Sequence, residues 1–130
     1  MQNSAGESVL KAVVLLKKKK GMTHEAFMHH YEHNHVPLVR VLLPSIGRYV
    51  RNYLSDIGNS VSAARQDSGA AVPSPYFDVI TEIWFADQTA YDRFISDLND
   101  PTTSKRLQED EERFLDRSIV QTFNVAEFGG

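Results

Sequence analysis

Hydrophobic and polar positions divide the chain into segments with two different periods. A short apolar run and segments of alternating or branched residues predict four strands, at residues 9–16, 46–54, 76–85 and 118–125. Helical spacing of apolar residues predicts helices within residues 21–43, 87–98 and 100–115. Asp87 and Asp100 are the expected N-caps of the last two helices. Small and polar residues without a period occupy residues 58–74, which predicts a long loop that acts either as a mobile lid or as simple slack.

The order of these elements is strand, helix, strand, strand, helix, strand. This order predicts an α+β fold, a ferredoxin-like βαββαβ sandwich with a four-stranded antiparallel sheet and its helices on one face. At 130 residues we expect one domain, residues 1–130, with a flexible loop at about 58–75. The other sheet face would carry tyrosine, tryptophan and aliphatic residues, so we expect two copies to pack sheet to sheet as a homodimer.

The helix predicted within residues 21–43 ends in a histidine two residues before a proline. Its buried stripe consists of Phe27, Met28, Tyr31, His35, Leu38, Val39 and Leu42. Thr23 is a suitable N-cap. Pro37 predicts a kink or an end of the helix near Val36, followed by a second short helical piece that runs toward Leu43. His35 would therefore face inward near a helix C-terminus. It is either a buried histidine bonded to a freed carbonyl or an acid–base group that lines a cavity.

Composition excludes several classes of function. The chain has no cysteine, so disulfides, thiolate metal sites and cysteine nucleophiles are excluded. A net charge of -3 gives no general attraction to nucleic acid, and we read the lysine run at residues 17–20 as a solvated strand end. No apolar run is long enough to span a membrane and no secretion signal begins the chain, so we expect a cytoplasmic location. No nucleotide-binding or serine-hydrolase motif occurs.

Two segments carry a family resemblance. GMTHEAFMHHYEHNHVPLV followed by IGRYVRNYL contains Phe27, His35, Pro37–Leu38, Gly47 and Tyr49, and PYFDVITEIWFADQTAYDRF follows later. With these positions the chain resembles the EthD-domain family of the dimeric α/β-barrel superfamily, although Gly47 and Tyr49 are closer together than in the family pattern. The resemblance implies a cofactor-independent dimer that acts on cyclic organic acids, lactones, phenolic compounds or polyketide-like compounds by proton transfer, isomerisation or elimination.

Several residues are candidates for the site. His35 is the first candidate for a general acid or base, since its ordinary pKa of about 6.5 lets it exchange protons near neutrality. Tyr49 could donate a hydrogen bond to a carbonyl or enolate oxygen, or it could be a core or interface tyrosine. Asp78 and Glu82 share one face of the third strand and could orient His35, or they could pair with arginines at an interface.

Aromatic side chains would supply the walls of a pocket for a flat substrate, or they would simply belong to the core. These candidates are Phe27, Tyr31, Tyr53 and Trp84. His29 and His33 are spaced like zinc ligands on a helix, but the chain lacks the glutamate of an H-E-x-x-H motif, so we expect no metal. We read the acidic run at residues 109–112 as the solvated face of the last helix.

The function that the sequence predicts is a small cofactor-independent isomerase or lyase that uses His35 with Tyr49. Two alternatives stay open. The first is a non-catalytic protein that binds a hydrophobic metabolite in a degradation pathway, and it requires only apolar volume. The second is a monooxygenase without a cofactor, which would consume dioxygen with an electron-rich phenol.

Overall fold

The computed structural model describes residues 10–55 and 75–130. Its strands are β1 (Leu10–Leu16), β2 (Tyr49–Tyr53), β3 (Val79–Phe85) and β4 (Gln121–Val125). Its helices are α1 (His24–His30), α2 (Val36–Leu42), α3 (Gln88–Asn99) and α4 (Pro101–Phe114). A π-helical segment, Tyr31–His35, joins α1 to α2, and a single 3₁₀ turn, Arg117–Ile119, precedes β4. The loop predicted at residues 58–75 lies almost wholly outside the described residues.

The four strands form one antiparallel sheet in the order β2-β3-β1-β4. This is the strand order of a ferredoxin-like fold, and it confirms the predicted fold class. Three predicted strands start too early, because β2 begins at Tyr49, β3 at Val79 and β4 at Gln121. Before β4 the Asp116 side chain accepts a hydrogen bond from the backbone N–H of Ser118, which holds a turn where the pattern predicted a strand.

The helix does not end at Pro37. The chain stays helical from α1 into α2, and the N–H of Val36 bonds to the carbonyl of Tyr31, five residues earlier. In a regular α-helix the proline ring would clash with the carbonyl four residues before it. We attribute the wider π turn to this constraint, because an extra residue in the turn moves that carbonyl away without ending the helix.

The inner face of the sheet packs against the helices to form the core. In β3 the buried residues alternate with half-buried ones, so Val79, Thr81, Ile83 and Phe85 face inward. Phe27 and Phe114 are fully buried and their ring centroids lie 5.7 Å apart, which joins α1 to α4. The predicted N-caps of the later helices are confirmed, since the Asp87 and Asp100 side chains accept the backbone N–H groups of Ala90 and Thr103.

Gly47, which lies just before β2, comes close to the backbone of β3. The N–H of Gly47 donates to the carbonyl oxygen of Trp84 at 2.9 Å. A Cβ atom at position 47 would lie 3.0 Å from that oxygen, so a side chain there would push β2 away from β3. Gly47 therefore sets the approach of Tyr49 to the core. No helix among the described residues combines the length and apolar character needed to cross a bilayer.

A candidate acid–base site beside the central cavity

A cavity of about 410 Å³ lies between the inner face of the sheet and the helices. Most of its lining is aliphatic and aromatic, with contributions from all four strands and from the helical layer. The lining residues with a polar side-chain group are Tyr31, His35, Tyr49, Thr81, Tyr91, Glu111, Arg117, Thr122 and Asn124. Mostly apolar walls with a few polar groups are typical of a small-molecule site.

His35 lies in the wall of this cavity and is bonded to a buried carboxylate. Its Nδ1 is 2.9 Å from Oδ2 of Asp110, and both residues are buried. No hydrogen bond to Nε2 is found within the described residues. Because the carboxylate can only accept while it is ionised, Nδ1 carries the proton and Nε2 is left with a lone pair. His35 is thus oriented like the histidine of an aspartate–histidine pair.

Asp110 also accepts a hydrogen bond from a second histidine. His30 Nε2 is 2.9 Å from Asp110 Oδ1, and His30 Nδ1 is 3.1 Å from Nδ2 of Asn34. The amide nitrogen of Asn34 donates, so Nδ1 of His30 accepts and its proton is on Nε2, facing Asp110. Arg113 is a more distant partner, with Nη1 at 3.4 Å from Oδ1. The carboxylate therefore receives donors on both oxygens.

These contacts fix the charge state of the pair. Burial alone would raise the pKa of the Asp110 carboxyl, but hydrogen bonds from His35 and His30 outweigh burial and hold that pKa below its usual range. Burial also lowers the pKa of His35, and the nearby carboxylate only partly offsets this effect. Near neutral pH the pair therefore consists of an ionised Asp110 and a neutral His35, which is the state that a general base requires.

The π-helical segment explains how two histidines reach one carboxylate. His30 and His35 are five residues apart, and on a regular α-helix such positions point about 140° away from each other. The π turn closes with a bond from residue i to residue i+5, so the extra residue returns His35 toward the face that carries His30. π turns of this kind occur often at functional sites.

Two tyrosines and a threonine in the lining of the cavity form a hydrogen-bonded chain. The hydroxyl of Tyr49 donates to that of Tyr31 at 3.2 Å, and the Tyr31 hydroxyl is 2.7 Å from Oγ1 of Thr81. Burial raises the pKa of both phenols, so both are protonated. The bond from Tyr49 is long for two hydroxyl groups and is therefore the weaker of the two.

Hydrogen bonds from Arg51 and Tyr53 to Glu32, together called the Glu32 clasp, hold the π-helical segment against β2. Glu32 receives two hydrogen bonds from the guanidinium of Arg51, at 2.9 Å and 2.7 Å, and a third from the Tyr53 hydroxyl at 2.6 Å. The hydrogen bonds from Arg51 outweigh partial burial and hold the pKa of Glu32 below its usual range. Tyr53, predicted to bind substrate, is thus engaged by Glu32 and does not line the cavity.

The structure does not bring Asp78 to His35. Oδ2 of Asp78 accepts the backbone N–H of Lys18 at 2.7 Å, which joins the start of β3 to the end of β1. The expectation that Asp78 orients His35 is therefore wrong, because Asp110 occupies that position. Phe27 is also outside the cavity, since it is fully buried among Tyr31, Tyr53 and Phe114. Of the predicted residues, the cavity contains His35, Tyr49 and Tyr31.

Glu82 and Trp84 lie on the outer face of the sheet and are separated from His35 by the sheet itself. They alternate with Thr81 and Ile83, which face the helices. Glu82 pairs with Lys11, and the same lysine lies 4.4 Å from the centroid of the Trp84 ring. The expectations that Glu82 orients His35 and that Trp84 forms a wall of the same pocket are therefore wrong, because neighbouring strand residues point to opposite faces.

Asp110 and Glu111 are the residues that sequence reasoning missed. The acidic run was read as solvated, yet Asp110 is buried and Glu111 lines the cavity, where it accepts a hydrogen bond from Arg117 at 3.2 Å. Burial raises the pKa of Glu111. The signal was present in the helical spacing, since Asp110 is three residues after the buried Leu107 and four before the buried Phe114.

The exposed histidine pair does not form a metal site with other described residues. The rings of His29 and His33 lie 4.5 Å apart on the outside of the helix. Within residues 10–55 and 75–130, no group of three or more His, Cys, Asp or Glu side chains is placed to hold a metal ion. The pair alone offers two ligands, fewer than a structural or catalytic zinc site requires.

The strand order and the cavity define the class of this chain as a ferredoxin-like α+β domain with a ligand-sized space between sheet and helices. The family model of the EthD domain matches residues 19–118. The chain therefore belongs to the EthD family, and the resemblance seen in the sequence is confirmed. A comparison with curated proteins gives no significant match.

Solved structures support the same fold. An EthD family protein from Bacillus halodurans C-125 is 16% identical, with a TM-score of 0.60 over 92% of this chain and 99% of that chain. An EthD-like protein from Ralstonia eutropha JMP134 is 14% identical, with a TM-score of 0.60 over 95% and 96%. A dimeric protein of unknown function and ferredoxin-like fold from Bacteroides fragilis is 8% identical, with a TM-score of 0.50 over 92% and 97%. At these identities the likeness extends to the fold alone.

Proposed function

We propose that this protein is a small cofactor-independent isomerase or lyase that moves a proton on a compact organic substrate. The observation that carries the proposal is the bond of 2.9 Å between Nδ1 of His35 and Asp110 at the wall of a cavity of about 410 Å³. The bond leaves Nε2 as the basic nitrogen of a neutral imidazole.

The proposed reaction begins with transfer of a proton from a carbon beside a carbonyl group to Nε2 of His35. The electron pair of that C–H bond moves to the carbonyl oxygen and forms an enolate. In an isomerisation the imidazolium returns the proton at a different carbon. In an elimination the electron pair expels a leaving group from the neighbouring carbon, and the leaving group takes the proton from the imidazolium. Asp110 stabilises the imidazolium that forms in between and keeps the ring in position.

Tyr49 is the proposed donor to the enolate oxygen. Its hydroxyl lines the cavity, and its bond of 3.2 Å to Tyr31 is weak for two hydroxyl groups. Tyr31 keeps its shorter bond to Thr81 when Tyr49 turns toward a substrate. Redirecting the Tyr49 proton therefore costs little, and the new bond to a developing negative charge is stronger than the one that is lost.

The lining of the cavity favours a flat or cyclic substrate. Its walls are mainly aliphatic and aromatic, so the substrate would bury an apolar body and present one or two oxygens to His35 and Tyr49. Lactones, phenolic compounds and polyketide-like rings meet this description, and they are the classes implied by the resemblance to the family. We also propose a cytoplasmic location, in keeping with the absence of cysteine.

We further propose that the working form is a homodimer that packs through the outer face of the sheet. Half-buried aliphatic residues of the three neighbouring strands share this face, namely Val13, Leu15, Val50 and Ile80, and the half-exposed Phe123 of β4 extends it. Burial of such a face in a second copy is favourable. The Bacteroides fragilis protein of the same fold is described as dimeric.

Exchange of solvent deuterium into a panel of lactones and cyclic ketones, followed by NMR, tests the proposed proton transfer. Wild-type protein should introduce deuterium beside the carbonyl group of at least one compound class, and His35→Gln should lower the rate about 100-fold or more. Glu109→Gln, an exposed change on the same helix as Asp110, is the matched control and should match the wild type. Equal rates for the wild type and His35→Gln would refute the proposed base.

A binding protein is the second candidate, and one observation favours it. The Tyr31, Tyr49 and Thr81 hydroxyls already bond to each other, so the cavity could hold an apolar metabolite without chemistry. This candidate predicts that His35→Gln binds the same compounds with unchanged affinity while the wild type exchanges no deuterium. Oxygen uptake with electron-rich phenols would instead identify a cofactor-free monooxygenase.

A further inference from the structure

A second cavity, of about 480 Å³, lies outside the proposed active site at one end of the outer sheet face. Strands β1, β3 and β4 line one side of it, the start of α3 lines another, and residues 126–128 after β4 complete the wall. Aliphatic, polar and aromatic residues all line it: Leu10, Lys11, Trp84, Gln88, Tyr91, Asn124, Val125, Ala126, Glu127 and Phe128. Tyr91 and Asn124 line both cavities, whereas His35 lines only the central one.

Two donors from different strands converge on one carboxylate in this cavity. Nζ of Lys11 donates to Oε2 of Glu127 at 3.0 Å, and the indole Nε1–H of Trp84 donates to Oε1 at 3.0 Å. Lys11 is one of the few buried charged residues, at 8% exposure, and Glu82 also pairs with it. The hydrogen bonds from Lys11 and Trp84 hold the pKa of Glu127 below its usual range, so it is ionised at neutral pH.

The Glu127 carboxylate, which accepts both hydrogen bonds, belongs to residues 126–130, and this segment makes few contacts with the rest of the protein. Within the part of the chain that the structure describes, the hydrogen bonds of residues 126–130 come from Glu127. The side chain of Glu127 keeps 47% of its exposure, and the next residue, Phe128, is 93% exposed. Another carboxylate can therefore replace Glu127 without disturbing the core.

We propose that Lys11 and Trp84 form a recognition site for a small aromatic carboxylate and that Glu127 occupies it as a built-in substitute. The ligand carboxylate replaces that of Glu127 on Nζ and Nε1, and its ring lies in the cavity beside Trp84 and Tyr91. The charge balance at Lys11 is kept, because one carboxylate exchanges for another. A neutral ligand of the same shape binds less tightly, because it leaves Lys11 with Glu82 as its carboxylate partner and offers Nε1 of Trp84 no charged acceptor.

Fluorescence of Trp84, the single tryptophan of the chain, tests this site directly. Benzoate is the probe, and benzamide is its neutral counterpart. We expect benzoate to change the emission of Trp84 in a saturable way and benzamide to have little effect. Glu127→Gln should bind benzoate more tightly, by about tenfold if the native segment is closed nine-tenths of the time. Glu109→Gln, remote from this cavity, should match the wild type.

Lys11→Met removes the charge and keeps the apolar stem, so it should abolish the preference for benzoate over benzamide. If this variant does not fold, Glu127→Gln alone decides, since the Glu127 side chain is half exposed and outside the core. Equal affinities for benzoate and benzamide, or no gain in Glu127→Gln, would overturn the proposal.

Discussion

Replacement of Asp110 by asparagine removes the carboxylate through which α4 binds His30 and His35. The carboxylate accepts bonds of 2.9 Å from His35 and from His30, and each hydrogen bond to a charged group stabilises the folded state by about 1.5 to 3 kcal/mol. Asparagine keeps one acceptor oxygen and turns an NH₂ group toward the other donor. We therefore expect the free energy of unfolding to fall by about 2 to 4 kcal/mol.

Urea unfolding followed by circular dichroism at pH 7.5 measures this loss. With a slope typical of a domain of this size, the midpoint should shift by about 1 to 2 M. Glu109→Gln makes the same chemical change at an exposed neighbour on α4 and should shift the midpoint little. A double-mutant cycle with His35→Gln should give a coupling of about 1 kcal/mol or more. If Asp110→Asn costs no more than Glu109→Gln, Asp110 does not hold His35 in the way described.

Three other predictions concern pH, the Glu32 clasp and a helix cap. Burial lowers the pKa of His35 in the folded state, so the contribution of His35 to the free energy of unfolding is complete above about pH 6.5 and is lost as the pH falls below that value. The free energies of unfolding at pH 7.5 and pH 5.5 should therefore differ less in His35→Gln than in the wild type. Arg51→Met removes two bonds to Glu32 and should lower the free energy of unfolding by about 1 to 2 kcal/mol in urea, whereas no loss would contradict the Glu32 clasp. Asp100→Ala removes the N-cap of α4 and should cost about 1 kcal/mol by thermal unfolding; an unchanged melting temperature would contradict it.

Periodicity predicted most of the fold because one face of each element is buried. The alternation in β3 and the caps at Asp87 and Asp100 are local signals, and the structure confirms them. Strand starts were less accurate, since residues 46–48 and 76–78 continue the alternating pattern although β2 and β3 begin after them. The pattern of side chains does not report where backbone pairing begins.

The site was only partly predictable because it depends on contacts between distant segments. His35 and Tyr49 were found from residue type and position, and both line the cavity. Asp110 was hidden in an acidic run, although its place on the Leu107–Phe114 stripe marked it as buried. The wide turn at Pro37 changed the direction of His35 in a way that a rule for proline as a helix breaker does not express.

The most direct test of the proton-transfer account is ¹⁵N NMR of the His35 ring in wild-type protein, assigned with His35→Gln. The account predicts a neutral ring at pH 7 with its proton on Nδ1 and a lone pair on Nε2. It also predicts that a lactone or phenolic compound bound in the cavity shifts the Nε2 resonance. A ring that is protonated at pH 7, or one that carries its proton on Nε2 and responds to no compound, would contradict the account.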